Sequence, residues 1–344
     1  MNDKKKKSFY VTGSIIIFFI LMITVGSILF FNMQTRKMNR ILKDTEYEEY
    51  GKYYVMIVND RSSEFWQSVY EGAKEDGKKS DAYVELMGSN LAEDYTREEL
   101  MEIAIHSQVD GIIVEADEGE EITALINRAV DSGIPVITVL GDNTSGERKS
   151  FVGVGSYNLG REYGRQVIRL CGEEARRVLV LMSGNTNSTS QNILYSGIQE
   201  TLENEMPPQS AAVLEMKAVD NENTFSAEES IRDIFMSGEQ LPGIIICLDE
   251  RSTACVYQAV VDYNKVGQIA IIGYYDALST LQAIERNVVD STISIDTVQM
   301  GSYCVDALNE YHASGNVSEY FSVDVTVINA NNVDEYLGGR EDEE

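Results

Sequence analysis

From Lys52 onward, short runs of β-branched and aliphatic residues alternate with longer stretches whose apolar positions recur at helical spacing. Continuous or period-2 apolar runs mark strands, spacing near 3.6 marks amphipathic helices, and their regular alternation predicts parallel βαβ units. The first set comprises a strand over Tyr53–Asn59, a helix over Glu64–Lys79 with Phe65, Val69, Gly72 and Ala73 on one face, and a strand over Tyr83–Met87. It continues with helix Arg97–Ser107, buried strand Gly111–Glu115, helix Glu120–Ser132, strand Pro135–Leu140 and short strand Phe151–Val154.

A second set repeats the pattern: a helix near Gly160–Leu170, strand Arg177–Met182, helix Thr189–Glu203, strand Ala212–Ala218, helix Ser226–Met236, strand Gly243–Leu248, helix Thr253–Asn264 and strand Gln268–Gly273. The two halves are alike. Beyond them the pattern becomes irregular, with helix Ala277–Arg286, strand Thr292–Ile295, helix Val298–His312, strand Ser322–Ile328 and an acidic, frayed tail over 338–344.

The N-terminal segment has a different character. Lys4 to Lys7 precede an uncharged run from Ser8 to Met33, dense in Ile, Phe and Leu. It is long enough for a membrane helix, which needs about 20 apolar residues. A cleaved signal has a shorter apolar region and a small-residue cleavage site, so an uncleaved signal anchor over 9–33 is the preferred reading. It divides a basic cytoplasmic tail (1–8) from a polar stalk (34–51). Arg36, Lys37, Arg40 and Lys43 follow the span, so the positive-inside rule alone does not orient it.

Composition narrows the chemistry. With 28 basic and 56 acidic residues, the net charge of −28 repels nucleic acid, whose binding depends on Lys and Arg displacing counterions. The cysteines, Cys171, Cys247, Cys255 and Cys304, lack metal-ligand spacing, and disulfide pairing is left open. The 2 histidines, His106 and His312, sit far apart on separate helices, which offers little to a Ser-His-Asp triad or a His-based metal site. Gly153, Gly155 and Gly160 have the wrong spacing for a dinucleotide fingerprint and read as a hinge turn. No cofactor or metal is called for, and no catalytic constellation is visible.

Five segments, taken in order, carry a family resemblance: Val55-Met56-Ile57-Val58 followed by Ser62-Ser63-Glu64-Phe65-Trp66; Val109-Asp110-Gly111-Ile112-Ile113-Val114; Ser132-Gly133-Ile134-Pro135-Val136-Ile137-Thr138; Asn158-Leu159-Gly160; and Ile271-Ile272-Gly273-Tyr274. From about Tyr53 to Leu337 the chain resembles the type I periplasmic binding proteins of the ribose- and galactose-binding group, which also supply the effector domain of LacI-type repressors. A membrane segment stands where a repressor has its helix-turn-helix. The resemblance implies an α/β domain over 52–337 made of two Rossmann-like lobes with parallel sheets. Lobe 1 takes about 52–155 and 297–319, and lobe 2 about 156–295 and 320–337. Three crossovers near 154–157, 294–297 and 319–321 form the hinge. It also places the folded part outside the cytoplasm, with a ligand in the cleft where strand C-termini and helix N-termini converge.

Sugar sites combine aromatic faces with polar side chains that bond hydroxyls. Phe65 and Trp66 match the family's aromatic pair, with core packing as the other reading of Trp66. Asp249 matches a family carboxylate position and equally fits a helix cap. Asn59 ends the first strand, within reach of the cleft, or serves a turn. At other family positions this chain departs: Leu140-Gly141 and then Asp142 replace an Asp-Arg pair, and Asn192 falls where an Arg is usual. Leu248 precedes Asp249, Tyr275 comes before Asp276, and Ile295 lies beside Asp296. The candidate ligand residues are therefore Asn59, Phe65, Trp66, Asp142, Asn192, Asp249, Tyr275, Asp276 and Asp296. The polar run Ser183–Ser190 resembles the family's cleft loop. The function implied is an extracytoplasmic solute-binding protein for a sugar or sugar-like molecule, serving an ABC permease or a membrane histidine kinase. The alternative is a protein-interaction module with a degenerate cleft.

Overall fold

The computed structural model describes residues 50–341 apart from 90, 92–94, 172–175, 185–188, 209 and 221–222. The membrane span expected over 9–33 and its stalk lie outside the described residues. Among the described residues no helix is long and apolar enough to cross a membrane.

The first lobe is built from β1 (Lys52–Ile57), α1 (Glu64–Lys79), β2 (Ala82–Leu86), α2 (Arg97–Ser107), β3 (Gly111–Val114), α3 (Glu120–Asp131), β4 (Val136–Val139) and β5 (Ser150–Gly153). The chain then enters the second lobe through α4 (Ser156–Cys171), β6 (Arg176–Ser183), α5 (Thr189–Glu205), β7 (Ala212–Val219), α6 (Thr224–Met236), β8 (Ile244–Cys247), α7 (Glu250–Asp262), β9 (Ala270–Tyr274), α8 (Leu278–Glu285) and β10 (Ser291–Ile295). It returns with α9 (Thr297–Ser314) and β11 (Tyr320–Ser322), then ends with β12 (Val325–Asn329) and α10 (Val333–Glu341).

Two six-stranded sheets result, with strand orders β11-β5-β4-β3-β1-β2 and β12-β10-β9-β8-β6-β7. Among the described residues every pairing is parallel except that of β10 with β12. The central strands read Gly-Ile-Ile-Val in β3 and Ile-Ile-Ile-Cys in β8 and are buried along their whole length. Unbroken apolar runs are what a parallel sheet covered by helices on both faces demands. The chain crosses between the sheets three times: after β5, after β10, and between β11 and β12.

The strand expected over Ser322–Ile328 is two strands. Tyr320–Ser322 adds to the first sheet beside β5, and Val325–Asn329 runs antiparallel to β10, so the last crossover lies at Val323 and Asp324. Residues 320–322, assigned with lobe 2 from sequence, therefore belong to the first sheet, where the Tyr320 ring stacks on Phe151 at 5.5 Å. The tail expected to fray is helical to Glu341: Val333, 2% exposed, anchors it in the second core beside Tyr336 and Leu337.

Glycines set the helix packing in both lobes. A Cβ on Gly72 of α1 would lie 2.3 Å from the Val298 carbonyl oxygen, and one on Gly301 of α9 would lie 2.0 Å from that of Val69. In the second lobe Gly160 of α4 and Gly197 of α5 meet the Leu194 and Tyr157 carbonyl oxygens at 2.1 and 2.6 Å. Backbones approach this closely only where no side chain intervenes.

Candidate functional site

The C-terminal ends of β1 and β3 and the start of α1 meet the C-terminal ends of β8 and β9 and the start of α7. Local rules position this junction. Ser63 caps α1 by accepting the Trp66 amide at 3.2 Å, which fixes Glu64, Phe65 and Trp66 in its first turn. On the opposite side the Tyr163 hydroxyl of α4 donates to the carbonyls of Cys247 and Gly273, at 3.0 and 3.4 Å, and ties the ends of β8 and β9 together.

Aromatic side chains form the centre. The Phe65 ring packs on Trp66 and Tyr275, each at 5.2 Å and near-perpendicular, and on Tyr274 at 5.9 Å. Edge-to-face geometry of this kind is the favoured one for rings of this polarity. All are nearly inaccessible, Trp66 at 4% and Tyr275 at 2%. The Tyr275 hydroxyl donates to the Glu64 carbonyl at 3.4 Å. Its backbone is left-handed, φ 68°, and is held there because its amide bonds the Ile293 carbonyl and its own carbonyl accepts from Thr292 Oγ1.

Charged groups surround the rings. Asp60 pairs with Arg251 across the junction. Glu250 accepts the Phe65 amide at 3.4 Å, and Glu115 accepts the Asn59 amide at 2.8 Å. Burial pushes both carboxyl groups up, Glu115 and Glu250 alike, against the pull of those amides; neighbouring acids, Asp60 at both and Glu64 and Asp249 at Glu250, push the same way. Burial likewise pushes the Tyr274 phenol far above its usual range, with Asp249, Glu115 and Glu250 adding to the effect.

The structure thus brings together Phe65, Trp66 and Tyr275 from the sequence-derived set, with Asn59 exposed at the rim. Asp249 caps α7, one oxygen accepting the Ser252 amide at 2.7 Å and the other the Ser252 hydroxyl at 2.8 Å. Asp276 accepts from Ser294 Oγ at 2.9 Å. Asp142 is turned to its own loop, where Arg148, Thr138 Oγ1 and the Asn143 amide bond it. Asp296 caps α9 through the Gln299 amide at 2.8 Å, and Asn192 is exposed on α5. Of the cleft loop Ser183–Ser190, residues 185–188 lie outside the described residues.

Asp60, Glu115, Glu250 and Arg251 were missed from sequence. The signal for Glu115 was an acid closing a fully buried strand, and that for Glu250 and Arg251 was their place directly after a capping Asp. Both histidines are exposed, and His312 Nε2 donates to the Asp110 carbonyl at 2.8 Å. Among the described residues no acidic, Cys or His group is placed to hold a metal.

A family profile described as a periplasmic binding protein domain matches residues 54–316, well over half of the chain. The chain belongs to that family. It is a family of ligand binders rather than enzymes. No curated protein matches the sequence. Among solved structures the chain is similar to the XylFII molecule, with 23% identity, a TM-score of 0.69 and coverage of 81% of this chain and 98% of that one. The XylFII-LytSN complex matches at 24% and 0.69, with coverage of 81% and 98%. GanP, a glucose-galactose binding protein from Geobacillus stearothermophilus, matches at 19% and 0.72, with coverage of 82% and 98%. A sugar ABC transporter sugar-binding protein from Bacillus halodurans matches at 22% and 0.71, covering 83% and 100%. At these identities the likeness is one of fold.

Proposed function

We propose that this chain is an extracytoplasmic solute-binding protein that takes a sugar or sugar-like ligand between its lobes. The observation that carries this reading is the cluster of Phe65, Trp66 and Tyr275 where the strand ends of both sheets converge, ringed by Asp60, Glu115, Glu250 and Arg251. Aromatic faces suit the C–H surface of a sugar ring, and carboxylates and a guanidinium suit its hydroxyls. Sugar binding by GanP and by the Bacillus halodurans protein supports the ligand class. The apolar run over 9–33 anchors the chain, with residues 52–337 outside the membrane.

The ligand is then handed to an ABC permease or reported to a membrane sensor kinase. That XylFII has been solved in complex with LytSN supports the second arrangement, in which a protein of this fold is held by another protein. A second reading, a protein-interaction module without a ligand, is favoured by one observation: Asp142, Asp249, Asp276 and Asp296 already bond groups of their own lobes.

Thermal unfolding of the full chain against a panel of pentoses, hexoses, inositols and nucleosides separates the two. A ligand that binds only the folded state raises Tm, by an amount set by RT ln(1 + [L]/Kd). The binding reading expects a concentration-dependent rise with at least one sugar-like compound, abolished by Trp66→Ala. No rise across the panel supports the interaction module instead.

A further inference from the structure

The second sheet ends at β7, which pairs with β6 along all eight of its residues and has no strand on its other side among the described residues. The other strands at sheet edges, β2, β11 and β12, are shorter, with five, three and five residues. One hydrogen bond fixes which backbone groups the free edge presents. The Arg176 amide donates to the Ala211 carbonyl at 3.0 Å, and Arg176 is in register with Ala212. Backbone groups alternate along a strand, so those of Val213, Glu215 and Lys217 turn toward β6, and those of Ala212, Leu214, Met216 and Ala218 turn outward. The Tyr195 hydroxyl of α5 donates to the Leu214 carbonyl at 3.3 Å, which requires that β6 leave this carbonyl unclaimed. A groove of about 500 Å³ between α5 and the strand, lined by Tyr195, Leu202, Met206 and Leu214, keeps this stretch of the edge open.

We propose that β7 is a dimerisation edge, where a second copy of this chain adds antiparallel about a two-fold axis at Met216 and joins the two second-lobe sheets into one. The occupant follows from the strand's own sequence, Ala-Val-Leu-Glu-Met-Lys-Ala-Val. In a symmetric antiparallel pair, opposite residues share a sheet face, and outward-turned residues meet outward-turned residues. With Met216 opposite itself, Leu214 of each copy meets Ala218 of the other, and their outward groups exchange hydrogen bonds. Between these pairs Glu215 faces Lys217, in the closer, non-hydrogen-bonded kind of pair, and Val213 faces Val219. The neighbouring registers of the same symmetry put Glu215 opposite Glu215, or Lys217 opposite Lys217. Like charges directly opposite destabilise and unlike charges stabilise, so the charges select one register.

Exposure of the side chains agrees. Val213 and Met216 are 55% and 51% exposed, an apolar edge open to solvent in the single chain. Lys217 has no ion pair among the described residues. Glu215 is held by Arg177, yet its side chain stays 40% exposed and open to a second cation. A lysine on an edge strand ordinarily deters pairing; here the glutamate two positions earlier makes it half of a match. The dimer involves one face of the second lobe and is independent of any ligand.

Oxidative cross-linking of the full chain carrying Met216→Cys tests this, at physiological ionic strength, where long-range repulsion between two chains of charge −28 is screened. The four native cysteines are buried and do not compete. A disulfide-linked dimer is expected, with its yield lowered about tenfold when Lys217→Glu or Glu215→Lys is added. Mixing those two chains is expected to restore the yield, because both cross-strand pairs of the mixed dimer then join opposite charges. Absence of the cross-linked dimer, a yield that neither reversal changes, or a mixture no better than its components overturns the proposal. Should Glu215→Lys fail to fold once Arg177 loses its partner, Lys217→Glu decides alone: a fall of about tenfold supports the dimer and an unchanged yield overturns it.

Discussion

Leu140 and Tyr275 are both non-glycine residues with left-handed backbones, φ 62° and 68°. Each directly follows a parallel strand, β4 or β9, and each donates its amide to the next strand over, at Val152 and Ile293. The same strained turn therefore recurs at the same place in both lobes, and such conformations persist only where the surroundings fix them. Tyr275→Phe, which keeps the ring and loses one long hydrogen bond, is expected to change stability little. Tyr275→Ala removes a fully buried ring and is expected to cost about 3 kcal/mol in denaturant unfolding.

The acids at the junction give a pH dependence of definite sign. Glu115 and Glu250 have folded pKa values raised by burial. A raised carboxyl favours folding when protonated, so its contribution is fully present below the unfolded value, near 4.3, and is lost as pH rises through the folded value. Glu115→Gln and Glu250→Gln are therefore expected to raise Tm at neutral pH, with the gain shrinking toward pH 4. Equal Tm differences at both pH values contradict this. Little of this was legible in sequence, because burial of an acid depends on what the other lobe brings against it. Asp249 shows the same limit: cap and ligand readings fit its sequence equally, and only the geometry at Ser252 shows the cap.

At the scale of elements, the helices and central strands were legible because their periodicity is unbroken, and α1 and α2 run over the residues expected. Departures have local causes. The start of α7 lies at Glu250, earlier than the apolar pattern indicates, because Asp249 caps a polar first turn. The three residues of β11 carry too short a pattern to read, and their pairing with β5 is a long-range choice. The glycine-rich Leu337-Gly338-Gly339 segment argues against α10, yet burial of Val333 outweighs its poor propensity. The glycine contacts give the clearest element-level test. Gly301→Ala places a methyl against the Val69 carbonyl of α1, and Gly197→Ala one against the Tyr157 carbonyl of α4. Each is expected to cost about 1–3 kcal/mol by overpacking, read as a lower denaturant midpoint at unchanged slope. Asp249→Ala, which removes a cap, is expected to cost about 1 kcal/mol.

For the whole molecule, duplication of the βαβ pattern made the two lobes legible, and the motif order made the family so. The inter-lobe junction was legible only in its aromatic part, since Phe65 and Trp66 stand in one motif. Its charged part is assembled from residues nearly 200 positions apart, such as Asp60 and Arg251, which no local pattern connects. The proposed sugar-like ligand binds where these parts meet, and the single tryptophan of the chain lies there as a built-in reporter. Titration of the full chain with the sugar panel, followed by Trp66 fluorescence, tests it most directly. A saturable change is expected with at least one sugar-like compound, weakened at least tenfold by Glu115→Ala, a loss of about 1.4 kcal/mol. Fluorescence that stays flat for every compound, or a saturable change with the same affinity in Glu115→Ala, contradicts it.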